Sequence, residues 1–296
     1  MQSLARLVAI LITATVFLGG CANFAKQSPS GNQMAQVPVT ENPSGEIYPG
    51  KFIWHDLVTP DARLAGKFYE QLLGWDVEYQ EHYAVIRNGN RLIGGILQLD
   101  PADGHDREGV WIPSVSVADV DAAAELVKSN DGVILKGPVD MDRRGRAVLI
   151  SDPQRADIVL LNAKGGDPAD TVASIGDWLW DEIWTNDVDS TEAFYATVLG
   201  YDGIASGDKY EVFMRKGEWR AGIRHVDDDN EHMLWVPVVR VANPEATAQR
   251  VEDLGGVVWI APDEAPVKGN TALIGDPTGA LLLIQRWPPK ESGGEL

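Results

Sequence analysis

A single cysteine in 296 residues leaves no internal disulfide to form. Histidine is also scarce, five in all, and the five form no metal-spaced set. Basic residues are outnumbered 25 to 44 by acidic ones, for a formal charge of −19. So acidic a surface repels phosphate backbones and anionic lipid headgroups, which argues against nucleic acid as a partner. There is no glycine-rich phosphate loop and no Ser/His/Asp set that spacing supports. What remains is an ordinary apolar content of 44%, enough for folded cores, in a length with room for about two domains.

The first 20 residues read as a targeting segment. Arg6 supplies a positive start, and the apolar run from Leu7 to Leu18 is too short to cross a bilayer as a helix. Leu18-Gly19-Gly20-Cys21 resembles a bacterial lipobox. That resemblance implies cleavage before Cys21, acylation of Cys21 and attachment to a membrane, several acyl chains giving a stable anchor. Ala22 follows the cysteine in place of an aspartate, so the expected site in a Gram-negative host is the outer membrane, facing the periplasm. Residues 21–49 are rich in Ser, Pro, Asn and Gln with no apolar period, and read as a lipidated cysteine on a flexible tether.

From residue 50 the chain says everything twice. Phe68-Tyr69-Glu70-Gln71-Leu72-Leu73-Gly74-Trp75 returns as Phe194-Tyr195-Ala196-Thr197-Val198-Leu199-Gly200-Tyr201. Trp54 matches Trp180, Trp111 matches Trp235, and Asp152-Pro153 matches Asp276-Pro277, at offsets of 124 to 126 residues. A repeat this long means two copies of a domain, since solenoid units are shorter. The copies span 50–163 and 176–288, with a linker over 164–175 and a tail over 289–296. In the first copy a strand over 52–58 precedes a helix that Thr59 caps with Pro60 at its first position. Leu64, Phe68 and Leu72 form its buried stripe, and Gly74 ends it. Strands follow near 83–87 and 92–98. A second unit starts with a strand over 110–117 and a helix over 119–129 whose stripe is Val120, Ala124 and Val127. Strands near 132–136, 146–150 and 157–162 complete the copy. In the second copy Asn243-Pro244 opens the later helix and Gly255 closes it.

Each half is thus two β-α-β-β-β modules, an α+β fold. That order, with the Phe-Tyr…Leu-Gly-(Trp/Tyr) helix end and the Asp-Pro turn before the last strand, resembles the vicinal oxygen chelate superfamily of glyoxalases, bleomycin-resistance proteins and extradiol dioxygenases. The resemblance covers nearly all of 50–288 and implies tandem domains, each curling two modules into a half-barrel, with intrachain pairing of the halves expected. It also implies a divalent metal held by His, Glu or Gln at inward strand positions. Those positions map here to Trp54, Ile112 and Val159, and to Trp180, Val236 and Leu283. None of the six is a usual metal ligand, so no family-type cofactor is expected. His55 neighbours the first position, but strand alternation turns it to the helix side.

By the same alternation the first cleft is lined by Phe52, Trp54, Asp56, Ser114 and Ser116. The second is lined by Trp178, Trp180, Glu182, Trp184, Arg240 and Gln285. An aromatic wall with a few polar groups is the make-up of a small-molecule site; the same residues could equally be barrel filling. Asp56 and Glu182 match in the repeat and are candidate proton-transfer groups if burial raises them and no cation offsets it. Arg240 could pair with Glu182. The acidic run Asp227–Glu231 and the cluster Arg143, Arg144, Arg146 read as solvated charge. The expectation is an envelope lipoprotein that binds a small molecule without the family metal. The alternative is a divergent metal-dependent lyase, isomerase or dioxygenase of the same fold.

Overall fold

The computed structural model describes residues 34, 36–81, 83–99, 108–206, 210–226, 233–264 and 270–288. Cys21, the targeting segment, the acidic run Asp227–Glu231 and the tail over 289–296 lie outside them. The first half runs β1 (Phe52–Thr59), α1 (Ala62–Leu73), β2 (Asp76–Tyr79), β3 (Tyr83–Asn88), β4 (Arg91–Gln98), then β5 (Val110–Ser116), α2 (Val120–Ser129), β6 (Val133–Met141), β7 (Gly145–Ser151), β8 (Asp157–Ala163). The second half repeats it as β9 (Trp178–Thr185), α3 (Val188–Leu199), β10 (Gly203–Ser206), β11 (Tyr210–Arg215), β12 (Glu218–His225), β13 (Leu234–Arg240), α4 (Pro244–Ala248), a 3-10 turn (Glu252–Leu254), β14 (Val257–Ile260), β15 (Thr271–Gly275), β16 (Leu281–Gln285).

Each half is one eight-stranded sheet, ordered β2-β3-β4-β1-β5-β8-β7-β6 and β10-β11-β12-β9-β13-β16-β15-β14. Within each module the first strand pairs parallel with the last, and the two modules join through antiparallel first strands, β1 to β5 and β9 to β13. The sheets curl. Arg144, just before β7, touches Tyr83 of β3, although four strands separate β7 from β3 in the sheet order. The concave side of each sheet is a cup, and the convex side carries the helices.

One helix start and one helix end differ from expectation. Asp61 caps α1, its carboxylate accepting from the backbone N–H of Arg63 and Leu64, so the helix begins two residues later than a Thr59 cap would allow. Leu64 faces outward, 45% exposed, while Ala65, Phe68, Tyr69 and Leu72 are buried. The last helix of the second half is broken: α4 stops at Ala248, and Gly255, at φ 86°, ends a separate 3-10 turn. The short edge strand β2, four residues of alternating polar and apolar character, has no counterpart among the expected strands.

The halves pack crosswise through their convex faces. Val120, Ala124 and Val127 of α2 meet Phe194, Tyr195 and Val198 of α3 in one core. Phe68, Tyr69 and Leu72 of α1 meet Val241, Ala248, Ile274 and Leu282 in another. The repeated motifs are the bonds across this interface. Tyr195 Oη donates to Asp152 Oδ2 at 2.9 Å and accepts from Trp235 Nε1 at 2.9 Å. Asp152 Oδ1 meanwhile accepts the N–H of Gln154 and Ala156, closing the Asp-Pro turn. In the other copy Trp111 Nε1 donates to Tyr69 Oη at 3.0 Å, and Asp276 closes its turn through Thr278 and Ala280. Trp75 Nε1 reaches the carbonyl of Gly176, and its repeat partner Tyr201 reaches the carbonyl of Gly50. So Phe-Tyr, Leu-Gly-(Trp/Tyr) and Asp-Pro recur because each copy needs them to hold the other.

The segment after residue 35, expected to be a flexible tether, is packed. Val37 and Val39 are 7% and 3% exposed and sit in the cup of the first half with Trp54, Tyr83, Val85, Leu97 and Leu161. Gln36 bonds Asp142, Glu41 pairs with Arg87, and Ser44 and Gly45 bond the linker carbonyls of Asp167 and Gly165. Two apolar side chains two residues apart in a polar run are a weak signal, and the polar composition hid it.

Candidate functional site

Each cup has the same floor. A tryptophan and a carboxylate stand two apart on the first strand, Trp54 and Asp56 on β1, Trp180 and Glu182 on β9. A tyrosine leans over them, Tyr83 from β3 and Tyr210 from β11. Its ring is admitted by a glycine on the neighbouring strand. A Cβ on Gly95 would lie 1.9 Å from Tyr83 Oη, and one on Gly222 would lie 2.1 Å from Tyr210 Oη. The tyrosines and glycines are absent from the candidates that alternation picks out, although Tyr83/Tyr210 and Gly95/Gly222 also stand 127 residues apart.

In the first cup this floor is closed on itself. Asp56 Oδ1 accepts from Trp54 Nε1 at 2.9 Å and from Tyr83 Oη at 2.5 Å. Asp56 Oδ2 accepts from Arg144 Nη1 at 2.9 Å. Arg144 also donates to Tyr83 Oη and, through Nε, to the carbonyl of Val37, and its guanidinium lies 4.6 Å from the Trp54 ring centre. Arg144, expected among exposed charges, is 3% exposed. The hairpin between β6 and β7 folds it over the sheet edge, and the packed N-terminal segment shuts it in. Asp56 is therefore the anchor of a buried ion pair, and no catalytic role follows for it.

The second cup is built from the same parts and left unfinished. The longer Glu182 turns to Arg224 of β12, accepting from its Nε at 2.8 Å and its Nη2 at 3.1 Å, and also from Trp184 Nε1 at 3.3 Å. Trp180 Nε1, Tyr210 Oη and Gln285 Oε1 are buried without a hydrogen-bond partner. Burial, then the charge of the neighbouring Glu182 and a hydrogen-bonding pull from the same carboxylate, opposed by Arg224, push the Tyr210 phenol well above its ordinary value, so it keeps its proton. Trp180 faces Trp219 at 6.3 Å and Trp287 at 5.5 Å between ring centres, and Trp219 is 51% exposed. The cup has an aromatic mouth over a floor with free hydrogen-bonding capacity.

Backbone bulges explain where the other expected residues went. An irregularity in the pairing between Trp178 and Trp180 turns Trp178 to the convex side, where it stacks on His55 at 4.0 Å and donates to the carbonyl of Ile93. The same device between Phe52 and Trp54 sends Phe52 against Trp235. A third, where Met214 pairs with Trp219 and Phe213 with Ala221, aims Trp219 into the cup. Arg240 does not reach Glu182; it is tied to the linker carbonyl of Ala173. Ser116 is tied to Asp167 at 2.6 Å. Trp184 stays beside Glu182, and Gln285, 7% exposed, stays on the second sheet's inner strand. His55 is on the interface as alternation required, its Nε2 2.9 Å from Asp181 Oδ1.

The residues do not fit the divalent metal that the resemblance implies. Its six positions carry indole and aliphatic side chains, and the adjacent carboxylates are already held by Arg144 and Arg224. Among the described residues no group of three or more His, Cys, Asp or Glu could hold an ion.

Comparison with known proteins agrees with this architecture. The family model described as Glyoxalase/Bleomycin resistance protein/Dioxygenase superfamily matches residues 51–160. A protein named "Putative glyoxylase CFP32" from Mycobacterium tuberculosis is 27% identical over 250 residues, covering 80% of this chain and 95% of its own. The anthracycline biosynthesis protein DauV of a Streptomyces species is 26% identical over 255 residues, covering 78% and 91%. The Mn(II)-bound glyoxalase from Novosphingobium aromaticivorans shares the fold at a TM-score of 0.58 and 12% identity, over 81% of this chain and 83% of that one. The first half, matched by the family model over residues 51–160, is a domain of the glyoxalase/bleomycin resistance protein/dioxygenase superfamily, and the second half repeats its α+β architecture of two β-α-β-β-β modules.

Proposed function

We propose that this glyoxalase-like protein binds a small organic molecule in the cup of its second half, without a family-type metal. The observation that carries this is the difference between two copies of one floor. The first cup is satisfied by its own residues and filled by Val37 and Val39, while the second leaves three buried polar atoms without partners under an aromatic mouth. Unpaired buried polar groups cost stability unless something completes them. A relative named for anthracycline biosynthesis supports an aromatic ligand. Proton-transfer chemistry by Asp56 or Glu182 is less well supported, since each is held by a guanidinium. Calorimetric titration with a panel of aromatic probes tests the site. Trp180→Ala is expected to weaken any probe bound there by more than tenfold, on the order of a lost aromatic wall. An unchanged affinity in the folded variant would remove the assignment.

The same proposal places the protein on a membrane through acylated Cys21, the outer membrane if the host is Gram-negative. It rests on the Leu18-Gly19-Gly20-Cys21 motif. Labelled palmitate is expected to enter the wild-type chain in bacterial cells and not Cys21→Ser. Equal labelling of both would place the anchor elsewhere.

A further inference from the structure

The two cups part company at a single oxygen. In the first, two donors converge on it: Trp54 Nε1 and Tyr83 Oη both bond Asp56 Oδ1. In the second, the matching donors are Trp180 Nε1, which is unpartnered, and Tyr210 Oη, which has the Glu182 carboxylate near it but no hydrogen bond of good geometry. The matching carboxylate has one more methylene and is drawn aside by Arg224 and Trp184. The second cup therefore has no single carboxylate oxygen that accepts from both donors, as Asp56 Oδ1 does in the first.

We infer that the ligand of the second cup supplies such an acceptor oxygen: it is a flat conjugated molecule carrying a carbonyl-type acceptor, held by Trp180 Nε1–H and Tyr210 Oη–H. This rests on the second cup being a binding site and goes beyond it by naming what the site reads. The two donors ask for an acceptor, so a ligand of donors alone gains nothing from them. Gln285 Oε1, buried and unpartnered on the second sheet, is a further acceptor that a ligand hydroxyl could meet. The rings of Trp180, Trp219 and Trp287 favour a flat apolar body through stacking. Glu182 and Arg224 neutralise each other by a two-bond pair, so the described floor offers no net charge to attract an ion.

The test uses the purified protein and two probes of equal shape, 1,4-naphthoquinone and naphthalene, followed by titration calorimetry. The quinone is expected to bind about tenfold tighter or more, the worth of a buried donor left unmet by naphthalene. Tyr210→Phe keeps the ring and removes the donor, and should erase about tenfold of the quinone affinity while leaving naphthalene unchanged. Glu182→Asp is the sharper variant. It rebuilds the first cup's carboxylate, which can then accept from both donors, so quinone binding is expected to fall about tenfold or more while thermal stability holds or rises. Equal affinity for the two probes, insensitive to both variants, would overturn the acceptor assignment and leave the aromatic site standing. Saturable binding of neither probe to the wild-type protein would overturn this inference and count against the site itself.

Discussion

Arg144→Met is expected to lower the free energy of unfolding by about 3–5 kcal/mol, the range for removing one partner of a buried ion pair. The side chain lost is small in volume terms, since methionine fills much of the same space. What is lost is the counter-charge of Asp56, which would stay buried with only Trp54 and Tyr83 as partners. The carbonyl of Val37 would lose its donor too, and the guanidinium would no longer lie over the Trp54 ring. The double variant Arg144→Met with Asp56→Leu separates charge from packing. Replacing both ions by apolar groups is often close to neutral, so the double variant is expected to recover most of the loss. Urea unfolding of the three proteins gives the answer. If the double variant is as unstable as the single one, packing and not the stranded carboxylate carries the effect.

Asp157→Asn is expected to stabilise the protein in a pH-dependent way. Burial is the main cause that raises the Asp157 carboxyl from 3.8 to about 6, with the Asp152 charge adding to it and Ser151 opposing. The folded state therefore holds this proton more tightly than the unfolded chain. Its contribution to stability is fully present below pH 3.8 and is lost as pH rises through about 6. Above pH 7 the ionised, desolvated carboxylate costs the fold about 3 kcal/mol, since each tenfold difference in proton affinity between the two states is worth about 1.4 kcal/mol. Asparagine carries no charge to desolvate. The variant should exceed the wild type by about 2–3 kcal/mol at about pH 8 and by little at about pH 4. A gap of the same size at both values would mean that the charge of Asp157 is not the cause.

Much of this architecture was legible in the residues, and the reasons differ by motif. Gly74 and Gly200 end their helices in the left-handed region as their positions after an apolar stripe required. The four modules were readable because each motif sits at a near-constant offset from its copy. The purpose of the motifs was not readable, because a Tyr in one copy and an Asp in the other are bonded over a distance that local patterns do not encode. The cup residues depended on parity along a strand. Parity held for Trp54, Asp56, Trp180 and Glu182 and failed for Phe52 and Trp178, where one extra residue in the ladder reverses every side chain before it. Arg144 and Val37 were out of reach for another reason. Both reach the first cup from segments whose own composition is polar, and only the curled sheet brings them to Asp56.

His55 and Asp181 meet at the centre of the contact between the halves, and they are the same position of the repeat. A site that touches its own counterpart lies on the axis relating the two copies. Were the halves separate identical chains, that spot would hold two histidines or two aspartates, and a pair of buried carboxylates at about 3 Å would repel strongly. Joined in one polypeptide, the two positions have been free to become a donor and an acceptor. The covalent linkage thus has a chemical counterpart at the interface: one half offers a histidine where the other offers an aspartate, and a second copy of the aspartate half would set two carboxylates face to face.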